Sequence, residues 1–173
     1  MGIVSNNQYS VEMVFRFFEG DGTFRRIIDV TNRTSDNGFY VDLGNVLDLF
    51  GGGGAGSTVW TSVFFHHVVL TNSGTEVKAY LDGVEEFTTS TTVMNITSAN
   101  LMNFFIDDGG ESSDGRIALT NLYTQVLTLT DVQQLFADPF ADPSAIIPEP
   151  TTILLLGSGL AGLVAWRIRK GRA

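Results

Sequence analysis

Residues 64–83 read FFHHVVLTNSGTEVKAYLDG. Phe64 to Thr71 is an apolar, β-branched run, and Asn72-Ser73-Gly74-Thr75 has the composition of a turn. A second run, Glu76 to Leu81, follows and ends at Asp82-Gly83. Both of those positions tolerate positive φ, so the pair predicts a two-residue hairpin turn that sends Val84 to Thr88 back along the second run. Two consecutive hairpins at the middle of the chain set an antiparallel all-β reading.

The flanks extend it. In Tyr9 to Phe18, Val11, Met13, Phe15 and Phe17 share one face, and Glu12 and Arg16 the other, the period of a half-buried strand. Phe24 to Val30, Phe39 to Leu43 and Val46 to Phe50 are three further strands. Gly51 to Gly56 is a connecting loop: no Lys-Ser/Thr pair follows it, as a phosphate cradle requires, and Ser57 to Trp60 reads as strand. After the hairpins, TTSTT (88–92) is a polar edge or loop, and Leu101 to Ile106 and Arg116 to Thr124 are two more strands around an acidic loop. Thr130-Asp131-Val132-Gln133 has the capping-box pattern, which predicts a short helix from Thr130 to about Phe136. About nine short strands, with turn signals every eight to twelve residues and no alternation with long helices, predict an antiparallel jelly-roll-type β-sandwich.

The hairpin, Phe65-His66-His67-Val68-Val69-Leu70-Thr71 and then Val77-Lys78-Ala79-Tyr80-Leu81-Asp82-Gly83, resembles the Trp-His-His-Val-Ala-x-Thr … Val-x-Leu-Tyr-x-Asp-Gly hairpin of the concanavalin A-like lectin/glucanase superfamily in its laminin-G-like form. Phe65 stands where the family has Trp. Gly115 to Tyr123 with Leu127 to Thr130 is similar to that family's final strand and short helix, so the resemblance runs from about Tyr9 to Phe136. It implies the sandwich fold and a carbohydrate-binding type of domain.

Asp107, Asp108, Glu111 and Asp114 fall within DDGGESSD (107–114). Carboxylates this close repel one another unless they are solvated or bridged by a cation. Calcium takes oxygen ligands from flexible loops, so calcium is the candidate cofactor and a solvated acidic loop the alternative. Tyr40, Trp60 and Tyr80 are candidates for stacking on sugar rings, or for packing in the sandwich. No catalytic residue is identified. The Glu-x-Asp-x-x-Glu strand of the superfamily's glucanases is missing, Glu85 and Glu86 are neighbours facing opposite ways, and no nucleophile–base arrangement stands out. A non-enzymatic protein is expected.

The chain has 173 residues and no cysteine. Before Pro150 stand all 19 acidic residues against 6 of the 10 Lys and Arg, a net charge of −13, which excludes nucleic acid as a partner. The remaining four cations, Arg167, Arg169, Lys170 and Arg172, close the chain. Ahead of them an uncharged run, Ile153 to Trp166, follows Pro148-Glu149-Pro150. Thr151 to Ile168 as a helix is roughly 27 Å long, just enough for a hydrocarbon core about 30 Å thick, so a transmembrane helix over about 151–168 is predicted. The positive-inside rule leaves the basic tail cytoplasmic and everything before Pro148 outside.

These three parts, in this order at the extreme C-terminus, resemble the PEP-CTERM sorting signal of Gram-negative bacteria. The resemblance implies export across the inner membrane, processing by an exosortase near Pro148-Glu149-Pro150, and delivery to the cell surface or an exopolysaccharide matrix. Met1 to Ser10 lacks the basic start and apolar core of a signal peptide, so a start further upstream is expected. The expected organisation is a laminin-G-like sandwich over 1–136, a proline-containing spacer over 137–147 and the sorting signal over 148–173. The expected function is an exported, carbohydrate-binding matrix or surface protein. A structural matrix or adhesion protein that binds no specific sugar and a remnant glycoside hydrolase remain as alternatives.

Overall fold

The computed structural model describes residues 7–18, 22–97 and 100–146. The chain divides into two units, Met1–Phe140 and Ala141–Ala173. In the second, the described element is α2 (Pro143–Ile146). The run predicted to cross a membrane, 151–168, lies outside the described residues. Among those described, no helix is long and apolar enough to cross one.

The first unit holds two five-stranded antiparallel sheets. One has the order β10 (Gly115–Tyr123), β1 (Tyr9–Phe17), β6 (His66–Asn72), β7 (Glu76–Leu81), β8 (Val84–Ser90). The other has the order β5 (Gly54–Ala55), β4 (Leu47–Phe50), β3 (Gly38–Val41), β2 (Arg25–Asp29), β9 (Asn103–Phe104). One face of each sheet supplies the shared core: Val11, Met13, Phe15 and Phe17 from β1, Val68 and Leu70 from β6, Phe39 and Val41 from β3, Leu47 and Leu49 from β4. Trp60 is fully buried among Phe15, Phe17 and His66, at ring separations of 5.0, 5.8 and 4.3 Å.

Several expectations shift. Ser57 to Trp60 is not strand; the carboxylate of Glu86 on β8 accepts the amides of Ser57 and Thr58 at 2.8 and 2.9 Å and holds this segment instead. Part of the glycine-rich stretch does pair, as β5 on β4. It lies so close to β8 that a Cβ on Gly54 would stand 2.4 Å from the Phe87 ring. The strand expected over 101–106 contracts to Asn103–Phe104. Leu43, placed on a strand by its alternation, sits in a turn and is exposed.

The helix α1 (Leu129–Ala137) is capped by Thr128, two residues before the predicted cap. Asp131 is then at the third position, where its Oδ2 accepts from the amide and hydroxyl of Thr128 at 2.8 and 2.7 Å. A short aspartate closes the reciprocal pair as well as the Glu or Gln of the sequence rule does. α1 lies over the outer face of the β10–β8 sheet. Ser10 of β1 accepts the Leu127 amide at 2.9 Å, His67 of β6 stacks with Phe136 at 5.8 Å, and Val132 and Leu135 are buried. This cover is why Glu12, expected on a solvated face, is fully buried.

The Asp82-Gly83 turn forms as predicted, with φ of 48° and 80°. Its carboxylate bonds His66 Nδ1 and the His67 amide, both at 2.8 Å, so the turn is clamped to the start of β6. Gly83 also lies under α1, where a Cβ would meet Phe136 at 2.8 Å. Gly83→Ala is therefore expected to lower stability by more than the ~1 kcal/mol of a left-handed alanine alone, since Phe136 must also move. Urea unfolding of the two proteins checks this.

Candidate functional site

The outer face of the second sheet carries the constellation that best fits a binding site. Arg26 on β2 and Tyr40 on β3 are opposite in register, so their side chains share that face. Phe50 at the end of β4 and Phe24 just before β2 flank Tyr40 edge-on, at 6.3 and 6.0 Å between ring centroids. These three rings, with Asp36 and Glu111, line a cleft of about 100 Å³. Small-molecule pockets run from roughly 300 to 1,000 Å³, so the cleft suits one edge or substituent of a larger ligand lying across the surface. Phe50 is 45% exposed, whereas Tyr40, at 1%, forms the floor.

Arg26 organises the rim. It is fully buried, with its guanidinium 4.6 Å over the Tyr40 ring. Its Nε lies 2.8 Å from Asp107 Oδ1 and its Nη1 lies 3.2 Å from Asp29 Oδ1. It also donates to the Ser35 carbonyl and bonds the Tyr40 hydroxyl. Asp29 in turn accepts from Thr31, Arg33 and Asn103, while Arg33 Nε donates to the Asp107 carbonyl at 2.9 Å. Loops 31–36 and 107–111 are thus held on one framework.

Within it, Asp36, Asp107 and Asp108 each bring a carboxylate oxygen within 4.8 Å of the others. Asp107 is buried, and its oxygens are already engaged: Oδ1 by Arg26 and Tyr40, Oδ2 by the amides of Gly109 and Glu111. Burial raises its pKa, but the Gly109 amide, the Arg26 charge and the Glu111 amide outweigh that and hold it below the usual value. Asp108 and Glu111 shift the other way. Desolvation and the charges of Asp107 and Asp36 raise both. The exposed rim therefore carries more negative charge than its own groups neutralise.

The predicted acidic loop is only partly assembled here. Asp107 and Asp108 join the cluster and Glu111 lines the cleft, but Asp114 is outside the cluster; its carbonyl accepts the Phe18 amide at 2.9 Å. Of the three aromatic candidates, Trp60 is 0% and Tyr80 2% exposed, so neither offers a ring face to a ligand. Trp60 packs among the rings of Phe15 and Phe17, and Tyr80 sits at a β7 position where burial and Glu85 push the phenol up to about 12. Arg26, Asp36, Phe24 and Phe50 were not singled out from the sequence. The Arg26–Asp29 spacing was a usable signal for the first. The others join the site through tertiary contacts alone.

A second polar cluster lies under α1. Glu12 contacts His67 Nε2 at 3.0 Å, the Tyr123 hydroxyl at 2.5 Å and the Asn121 side-chain amide at 2.9 Å. Glu12 is 0% and His67 3% exposed, which keeps this cluster from any substrate.

An antiparallel two-sheet sandwich with a binding cleft on an outer sheet face is the architecture of lectin-type domains. The chain belongs to the concanavalin A-like lectin/glucanases superfamily, whose laminin-G-type model matches residues 2–133. Residues 147–170 match the PEP-CTERM protein-sorting motif, which takes in Pro148, Glu149, Pro150, Arg167, Arg169 and Lys170 and stops short of Arg172. All seven lie outside the described residues. The motif marks an exported protein, implies a membrane-anchored sorting precursor and implies processing by an exosortase.

Among solved structures, Trypanosoma rangeli sialidase superposes with a TM-score of 0.59 at 17% identity, over 83% of this chain and 24% of the sialidase. Botulinum neurotoxin type C, described as entering cells by interaction with two ganglioside molecules, gives 0.55 at 17% identity over 76% and 35%. The binding domain of botulinum neurotoxin DC, in complex with SialylT, gives 0.56 at 14% over 76% and 35%. The chain thus spans about a quarter of the sialidase and a third of the toxin chains, and at these identities the likeness is one of fold. No curated protein matches the chain.

Proposed function

We propose that this is a glycan-binding protein of the cell surface or exopolysaccharide matrix, and that it binds through the Phe24–Tyr40–Phe50 cleft with calcium bridging the adjoining acidic rim. The observation that carries the reading is the juxtaposition itself: an exposed phenylalanine beside a buried tyrosine floor, next to three converging carboxylates. The exposed ring of Phe50 offers an apolar surface on which a sugar can stack, and a cation at Asp36 and Asp108 would take hydroxyl oxygens of the same sugar. Asp107 serves as the organiser of the rim, since its own oxygens are occupied. The gangliosides and SialylT named for the toxin structures are consistent with a fold suited to glycans.

The reading is non-enzymatic. Glycosidic hydrolysis needs a pair of acidic groups astride the bond, or in sialidases a tyrosine nucleophile. The Glu12–Tyr123 pair has the chemistry of the latter, but its carboxylate is fully buried and turned away from any ligand on the surface.

The test is binding of the full chain to exopolysaccharide from the producing bacterium, with calcium and with chelator. Saturable binding that is lost in chelator, in Asp36→Asn/Asp108→Asn and in Phe50→Ala is expected. Calcium at about a hundred times its Kd should raise unfolding stability by about 2.7 kcal/mol, and the double aspartate variant should lose that gain. Binding indifferent to chelator sinks the calcium bridge. No binding by a folded chain favours a structural matrix protein, and release of reducing ends favours a hydrolase.

A further inference from the structure

Six Lys and Arg stand in the acidic domain, and four of them serve its interior or its ion pairs. Arg26 holds Asp29 and Asp107, and Arg33 the Asp107 carbonyl. Arg25 bonds Ser62 and Asn45, and Lys78 lies 3.7 Å from Glu76. Arg16 and Arg116 differ: both guanidinium groups lie against the exposed ring of Phe18. They are opposite in the β1–β10 register, so both side chains emerge on the same face of the sheet.

Around them is the most apolar exposed surface of the unit. Arg16 lies 5.5 Å over the ring of Phe18 and 5.5 Å over that of Phe65, and Arg116 lies 5.7 Å over Phe18. Arg16 also donates to the Val63 carbonyl at 3.4 Å. Phe18 is 55%, Val63 71%, Phe64 65% and Phe65 45% exposed. Three consecutive large apolar side chains on a loop, contiguous with a fourth, are costly to leave in water unless something covers them.

We propose that Arg16, Phe18, Val63, Phe64, Phe65 and Arg116 form a phospholipid-docking surface that seats the sandwich on the bilayer anchoring its precursor. The chemistry favours a bilayer over a glycan. A sugar needs open ring faces, and those of Phe18 and Phe65 are already occupied by guanidinium groups. A headgroup phosphate needs guanidinium N–H donors, which the exposed Arg116 supplies beside the part-exposed Arg16. Phe64 and Val63, which carry no such neighbour, suit the acyl boundary, where aromatic side chains concentrate. Charge agrees in kind: in a domain of net −13, Arg16 and Arg116 stand side by side where phosphate would lie.

The tether makes weak docking sufficient. The proposal rests on the membrane-anchored precursor implied by the sorting motif. From Ala137 to Thr151 is fourteen residues, a span of at most about 50 Å, so the domain never leaves the neighbourhood of the bilayer. Short linkers give effective concentrations in the millimolar range, and a patch with only millimolar affinity would be docked much of the time. After exosortase processing the same patch would release.

The chain lacks cysteine, so a single fluorophore can be placed at Val63→Cys in the full-length protein. The protein is reconstituted into phosphatidylethanolamine–phosphatidylglycerol vesicles whose acyl chains carry a quencher. Quenching several-fold above that of the same label at Leu43→Cys, another exposed turn residue, is expected. It should fall to the Leu43 level on adding Arg16→Ala, Arg116→Ala and Phe64→Ser, with flotation on the vesicles and the thermal unfolding profile retained. A chain that floats but whose label at residue 63 is quenched no more than at 43 overturns the docking and leaves the tether intact. A chain that does not float overturns both. Quenching at 63 that appears only after exopolysaccharide is added marks a glycan face and overturns the proposal as well.

Discussion

Arg26→Met is expected to cost about 3–5 kcal/mol of unfolding stability, because it strands two buried carboxylates that the guanidinium now holds. A domain of this size has about 5–15 kcal/mol in all, so a fifth or more would be lost. Asp29 and Asp107 are the stranded groups, at 0% and 1% exposure. Lysine is no remedy. It keeps the charge but lacks the planar fork that reaches Asp107, Asp29 and the Ser35 carbonyl together. Urea unfolding should rank wild type well above Arg26→Lys, with Arg26→Lys above or level with Arg26→Met.

The pH dependence of this loss has a definite sign. Asp29 and Asp107 both have pKa values below the ordinary 3.8, burial being outweighed by hydrogen bonds to Asp29 and by hydrogen bonds and the Arg26 charge at Asp107. Their ionised forms therefore stabilise the fold fully above pH 3.8, and that contribution fades as pH falls through the folded values. The gap between wild type and Arg26→Met should narrow over that acid range, since a protonated carboxyl needs no guanidinium. A gap that stays constant would show that the loss is one of packing against Tyr40.

Glu12→Ala should have a comparable effect on the other sheet, again about 3–5 kcal/mol. It leaves His67, Tyr123 and Asn121 without their shared acceptor beneath α1. The Glu12 pKa is lowered from 4.5: burial alone would raise it, and the bonds from His67, Tyr123 and Asn121 overcome that. Its stabilisation is thus present above pH 4.5 and lost as pH falls through the folded value. Glu12→Gln keeps the shape and should cost less, and its stability should be flatter across the acid limb. Equal acid limbs in Glu12→Gln and wild type would remove Glu12 from the acid response.

The β1 alternation shows where the sequence stops being legible. Val11, Met13, Phe15 and Phe17 were read correctly as core, because period two reports which residues share a face. It does not report what covers the other face, and that face is buried by a helix a hundred residues away. The hairpins of β6, β7 and β8 were readable because their turns are local: Asp82-Gly83 states its own geometry. The cleft was not. Its Arg26, Tyr40, Asp36 and Asp107 come from two strands and two loops, and the register that aligns Arg26 with Tyr40 is set by a bulge between Arg26 and Ile28. Trp60 and Tyr80 were put forward for their chemistry, but aromatic chemistry serves packing equally well, and burial decides between the two.

The pairing of β1 with β10 also bears on how such a chain is made. Ser10 lies opposite Tyr123 and Phe17 opposite Gly115, so one side of the first sheet, β10 on β1, is assembled from the two ends of the domain. Contacts of such long sequence separation form late, because the closure entropy comes before the contacts that offset it. A nascent chain has the first partner of β1, β6, once residue 72 has emerged, but lacks the second, β10, until residue 123 has, and lacks the lid over Glu12 until Leu135 has. Until then it can present the β1–β6–β7–β8 part of the first sheet but not its last strand or its lid. The sandwich is thus completed by residues 115–137, the part of the domain that comes last before the sorting signal.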